Sequence, residues 1–297
     1  MSKIVCPFLG FATDADRGEK PCLLEKCTFY NTSEACCTFH EIGKASREYL
    51  TSLKQLAEQN ELILLRDRCA AFTPDEKTER MQLYMSQGSL SMAKGDHERA
   101  TLDFKKALIL DPLNPKAHQG LGDIYSLQGI FDEAISSYKS VLRADPESGE
   151  TWIKLILQYR AMFSHLPHRE TLYAEVTEKL RDELRALESQ SMANCIMGFI
   201  MLILHSADSD MFKTQRDEAR ALMERALELN QSNMWAYLGM KDILFYEHAY
   251  DAATEQLTQA IQVIPENPRL YFELGECHLL SQAERPMILQ TALQSAY

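Results

Sequence analysis

Only 12 glycines and 10 prolines occur in 297 residues, and no tract is of low complexity, so the whole length is able to bury a continuous core. The signatures of common catalytic sites are also missing. There is no phosphate loop, no G-x-S-x-G, no H-E-x-x-H and no glycine-rich dinucleotide turn, and the carboxylates fall mainly on solvated helix faces. The expectation is therefore a protein that is not an enzyme. A basic stripe is absent too, and the net charge of −12 argues against nucleic acid, whose phosphates are met by clustered Lys and Arg. No apolar run reaches the roughly twenty residues of a membrane span. The most apolar stretch, Cys195 to Leu204, is too short for one and reads as a helix buried on all sides. No export signal is expected at the start, because Met1-Ser2-Lys3-Ile4-Val5 meets Cys6-Pro7 before an apolar run develops. The expected compartment is the reducing cytoplasm.

What is present is a period. Pro112 and Pro146 lie thirty-four residues apart, and the same step relates Ala100 to Ala134, Phe104 to Tyr138, Ala107 to Val141 and Gly88 to Gly122. A helix-turn-helix unit of this length wants a small residue near position 8, Ala at 20, an aromatic at 24, Ala at 27 and Pro at 32. The small residues let two antiparallel helices approach, and the aromatic fills the gap beside them.

On these residues the chain resembles the tetratricopeptide repeat family. The resemblance implies an all-α fold, an α-α superhelix of about five to six helical hairpins, with regular units at 81–114 and 115–148. The register returns at 234–267, where Tyr237, Ala253, Leu257, Ala260 and Pro265 are in place, and a partial unit follows at 268–297. The interval from Pro146 to Pro265 is seventeen residues longer than three periods, so the units at 149–190 and 191–233 are expected to be enlarged. In the first of these, His165-Leu166-Pro167-His168 replaces the short turn and a helix is expected from about Arg169 to Leu187, with Leu172, Val176, Leu180, Leu184 and Leu187 as its apolar stripe. In the second, Ser206 to Phe212 is expected as a polar connector. His165 and His168 read as a solvated loop pair.

The resemblance also implies where a partner binds. The first helix of each unit lines the inner face, with positions 2, 5, 9, 12 and 13 pointing into it. Towards the C-terminus these are Trp235, Leu238, Asp242, Phe245, Tyr246, Arg269, Phe272 and Glu276, a partly aromatic groove suited to the apolar face of a helix or to an extended apolar peptide. Residues Glu284 to Tyr297 are the competing occupant, folding back over this surface or capping the array. The positions that grip a terminal carboxylate in some family members hold Met85, Ser89, Lys116 and Gly120 here, a poor match.

Five of the eight cysteines, Cys6, Cys22, Cys27, Cys36 and Cys37, precede His40 near the start. In a reducing compartment disulfides are disfavoured, and ligation of a metal is the leading explanation. A helix is expected from about Glu34, which places His40 on one face with Cys36 and Cys37. Zinc in a tetrahedral site and an iron–sulfur cluster are the two groups such ligands would hold, with free thiols as the alternative. A Cys37–His40 nucleophile is disfavoured, since nothing marks a lowered thiol pKa or an open cleft. The layout resembles short cysteine-rich modules of bacterial proteins. Residues 1–45 are accordingly expected as a cysteine-rich module and 46–72 as a capping helical hairpin. Thr73-Pro74-Asp75-Glu76 combines a capping box with Pro at the first helical position and opens the array of 73–297. Two functions follow: a scaffold or assembly chaperone holding a protein segment in its groove, or a metal-dependent sensor whose cysteines control that groove. The sequence assigns no oligomeric state.

Overall fold

The computed structural model describes residues 30–31, 36–204 and 209–280, with side chains described over 48–204 and 213–280. The chain divides after Phe72 into two compact units, 1–72 and 73–297.

In the first unit Tyr30–Asn31 (β1) pairs antiparallel with Cys36–Cys37 (β2), and one helix, α1, runs from Thr38 to Cys69. Two expectations change here. Cys36 and Cys37 lie in extended backbone ahead of the helix, so helical spacing does not place them on a face with His40. Residues 46–69 form one uninterrupted helix rather than a hairpin, because they contain no glycine or proline to turn the chain and are rich in Leu, Glu, Gln and Arg. Cys6, Cys22 and Cys27 lie outside the described residues, as do the side chains of Cys36, Cys37 and His40. Among the described residues no three His, Cys, Asp or Glu groups gather at a common metal position.

The second unit is an all-α array of antiparallel pairs: α2 (Pro74–Ala93) with α3 (His97–Leu110), α4 (Pro115–Leu127) with α5 (Phe131–Ala144), α6 (Gly149–Phe163) with α7 (Arg169–Leu184), α8 (Gln190–Leu204) with α9 (Ser209–Leu229), and α10 (Met234–Tyr246) with α11 (Tyr250–Val263). A further helix, α12, covers 268–280. The five to six expected hairpins account for α2 to α12; α1 stands outside that count and brings the helices to twelve among the described residues.

Local chemistry starts these helices where the sequence signals. The Thr73 side chain accepts from the Glu76 backbone N–H at 3.3 Å while the Glu76 carboxylate accepts from the Thr73 N–H at 2.8 Å. Asp96, Asn114 and Asn233 accept from the first free N–H groups of α3, α4 and α10, groups that otherwise have no partner. Gly95 and Gly129 turn the first two pairs with φ of +77° and +72°. His248 occupies the equivalent position of the fifth unit at φ 57°, an unusual conformation for a residue with a Cβ, and its Nδ1 lies 3.1 Å from the Tyr250 hydroxyl.

Packing explains the period. The Phe104 ring lies between Gly88 of its own unit and Gly120 of the next, so that a methyl added at Gly120 would fall 2.6 Å from the ring. Tyr138 covers Gly122 in the same way, and Met223 takes the aromatic's place between Gly198 and Gly239. Ala100, Ala107, Ala134, Ala219 and Ala226 are fully buried beside them.

The enlarged units differ in detail from the expected pattern. Helix α7 stops at Leu184, and Tyr173 rather than Leu172 joins Val176, Leu180 and Leu184 on its buried face, because the Tyr173 hydroxyl donates to the Arg160 carbonyl at 3.1 Å. Helix α9 already begins at Ser209, inside the expected connector; residues 205–208 lie outside the described residues. Ala219, Met223 and Ala226 fall in its second half, so the first half is the addition. Every residue of α8 from Ser191 to Leu204 is buried or half-buried, and no described helix is long and apolar enough to cross a membrane. The isolated Cys195 and Cys277 are buried.

Two outcomes are expected. Gly120→Val forces its side chain into the Phe104 ring and lowers stability by about 1–3 kcal/mol, read from the chemical-denaturation midpoint. Hydrogen bonds from the Thr73 backbone and side chain hold the Glu76 carboxyl below its ordinary value of 4.5. Its contribution to stability is thus complete above that pH and is lost as pH falls through the lowered value. Glu76→Gln should flatten this acid limb in unfolding midpoints recorded against pH.

Candidate partner-binding groove

The first helices α6, α8, α10 and α12 lie side by side and enclose a groove of about 310 Å³. Its apolar wall comes from Ile153 and Leu157 on α6, Phe199, Leu202 and Ile203 on α8, and Trp235, Leu238 and Tyr246 on α10. Arg160, Lys241, Asp242, Arg269 and Glu273 supply its charges. The N-terminus of α10 is held by a buried chain of hydrogen bonds: the Asn233 amide donates to Ser191 Oγ at 2.9 Å, and Ser191 donates to the Ala226 carbonyl at 2.7 Å. Trp235 then leans against Gly149 at the start of α6, where a methyl group would fall 2.6 Å from the indole. The groove wall thus rests on a position that only glycine fits without displacing the ring.

The charges are linked. Lys241 Nζ lies 2.6 Å from Glu273 and 3.0 Å from Asp242, and Arg269 Nε lies 3.5 Å from the other Glu273 oxygen. The Arg269 guanidinium stacks over Trp235 with 4.7 Å to the ring centroid. Burial works to lower the Lys241 pKa, but the two carboxylates outweigh it and hold the ammonium above its ordinary value. Asp242 keeps 43% of its side chain exposed, yet loss of water on the groove side raises its carboxyl above the ordinary range against the pull of Lys241. These groups shape and polarise the groove surface.

Of the residues expected from the sequence, Trp235, Leu238, Asp242, Tyr246 and Arg269 line this groove and Phe245, Phe272 and Glu276 do not. Phe245 packs edge-on to Tyr250, with ring centroids 5.3 Å apart, beneath Lys241; Phe272 and Glu276 are exposed on α12. The groove also draws on residues that the sequence reading did not name. Ile153, Leu157 and Arg160 are at positions 5, 9 and 12 of the third unit, and Phe199, Leu202 and Ile203 at positions 9, 12 and 13 of the fourth. Applying the inner-face positions to the enlarged units would have found all six.

Residues 91–156 match the tetratricopeptide repeat family model. Over 183 residues the chain is 22% identical to the type IV pilus assembly protein PilF of Pseudomonas aeruginosa, covering 62% of this chain and 67% of that one. It is also 22% identical over 197 residues to the BBSome complex member BBS4 homolog of Drosophila melanogaster, covering 66% of this chain and 32% of that protein, so it spans about a third of that relative's length. Among solved structures, a thermophilic TPR protein of Thermus thermophilus shares 20% identity over 67% of this chain and 99% of its own, with a TM-score of 0.45.

The ion network makes one prediction about the groove. Glu273→Gln leaves Lys241 with Asp242 alone and removes the shared acceptor of Arg269. The loss should be about 1–2 kcal/mol, measured by denaturation, and Glu273→Gln combined with Lys241→Met should recover part of it.

Proposed function

We propose that this chain is a non-enzymatic scaffold or assembly chaperone that holds an apolar helical or extended segment of another protein in the groove of α6, α8, α10 and α12. One observation carries the reading: three successive first helices contribute aliphatic and aromatic side chains to a single continuous wall, and a fourth closes it with charge, although each comes from a different unit. Burial of such a wall by a partner's apolar face is the dominant source of affinity in helix-in-groove and extended-peptide recognition. The assembly role named for PilF agrees with it. A cytoplasmic setting belongs to the same proposal. The metal-sensor reading, with zinc or an iron–sulfur cluster on Cys6, Cys22, Cys27, Cys36, Cys37 and His40, rests on the clustering of cysteines in the sequence; metal and sulfide analysis of protein purified without oxygen tests it.

Selection of a displayed random-peptide library on the full chain should enrich apolar sequences. Leu157, 41% exposed in the groove wall, is the residue to change: Leu157→Glu should abolish their binding in fluorescence anisotropy while the helical circular dichroism is unchanged. Peptides that bind the variant as well as the parent would place recognition elsewhere.

A further inference from the structure

The groove's charges do not cancel. Lys241 is held between Asp242 and Glu273, and Arg269 shares Glu273 while stacking on Trp235. Arg160 is the remaining cation in the wall. It is exposed, and among the described residues no carboxylate lies within ion-pair distance of it. A cation in the last turn of α6 suits the helix dipole, but that accounts for its place in the chain and not for its place in the groove. The Tyr173 hydroxyl, bonded to the Arg160 carbonyl, fixes the backbone from which the guanidinium projects. A chain of net charge −12 therefore carries three cations against two carboxylates in this groove.

Resting on the groove reading above, we infer that the segment bound there is acidic as well as apolar: its apolar side chains cover Leu157, Phe199, Leu202 and Trp235, and an Asp or Glu side chain beside them pairs with Arg160. The guanidinium fork donates to a carboxylate through two parallel hydrogen bonds. The acid is a side chain and not a chain end, because a terminal carboxylate is gripped by several donors together, whereas the other two cations of the groove, Lys241 and Arg269, are already engaged by Asp242 and Glu273. Arg160 is thus a specificity residue, and Leu157 reports affinity.

The test uses the peptides selected on the full chain. Selected sequences should carry Asp or Glu next to their apolar residues, and the Arg160→Glu variant should select Lys or Arg there instead. With one synthetic peptide, Arg160→Gln and replacement of the peptide's acid by its amide should each weaken binding roughly fivefold at low salt. Both together should weaken it no further, and the loss should shrink as ionic strength rises. Peptides that bind and depend on Leu157 but tolerate loss of their acid would overturn the inference and leave the groove reading standing. Peptides lost on amidation of the chain end alone would overturn the side-chain assignment. An absence of selected peptides, or binding indifferent to Leu157→Glu, would remove the groove reading and this inference with it.

Discussion

The array depends on one contact made repeatedly: a bulky side chain of a second helix wedged against glycine in the first helix of its own unit and, in two cases, of the next. Phe104 between Gly88 and Gly120 and Met223 between Gly198 and Gly239 are the two-sided cases, and Tyr138 over Gly122 is the one-sided one. The glycines set how closely the helices approach, and the wedge sets how one unit is stacked on its successor. Because the same wedge closes one hairpin and seats the next, hairpins that could not bury a core alone share a continuous one. The inner-face residues are then presented in register from unit to unit.

That dependence accounts for what the sequence disclosed. Where the wedge and its small partners recur at thirty-four residues, as in the first two units, helix starts, turns and buried positions are legible from residue type alone. Thr73, Asn114 and Asn233 cap where side-chain oxygens are available to free N–H groups, and Gly95 and Gly129 turn where φ must be positive. The enlarged middle was harder to read. The buried face of α7 turns towards Tyr173 because of a hydrogen bond to the Arg160 carbonyl, a tertiary contact with no local signature. The start of α9 was hidden because Ser209 and Asp210 suit the first turn of a helix as well as a loop.

The candidate groove was half legible for the same reason. Trp235, Leu238, Asp242, Tyr246 and Arg269 belong to units in clear register, whereas Leu157, Arg160 and Phe199 belong to units whose lengths disguise it. Lys241 and Glu273 sit at inner positions that the family pattern does not assign to recognition, and only folding brings them within 2.6 Å. Phe245 holds an inner-face position by the repeat register, yet its ring packs edge-on to Tyr250 of its own hairpin, a contact that the register does not carry.

Helix α6 packs directly on α8, and α8 on α10, although the second helices between them are of unequal length. Additional residues fall in the second helices and their connectors, while α6, α8 and α10 stay in direct contact. Such an architecture can lengthen or trim its back without disturbing the order in which its front is read, so recognition and outward elaboration are free to diverge independently.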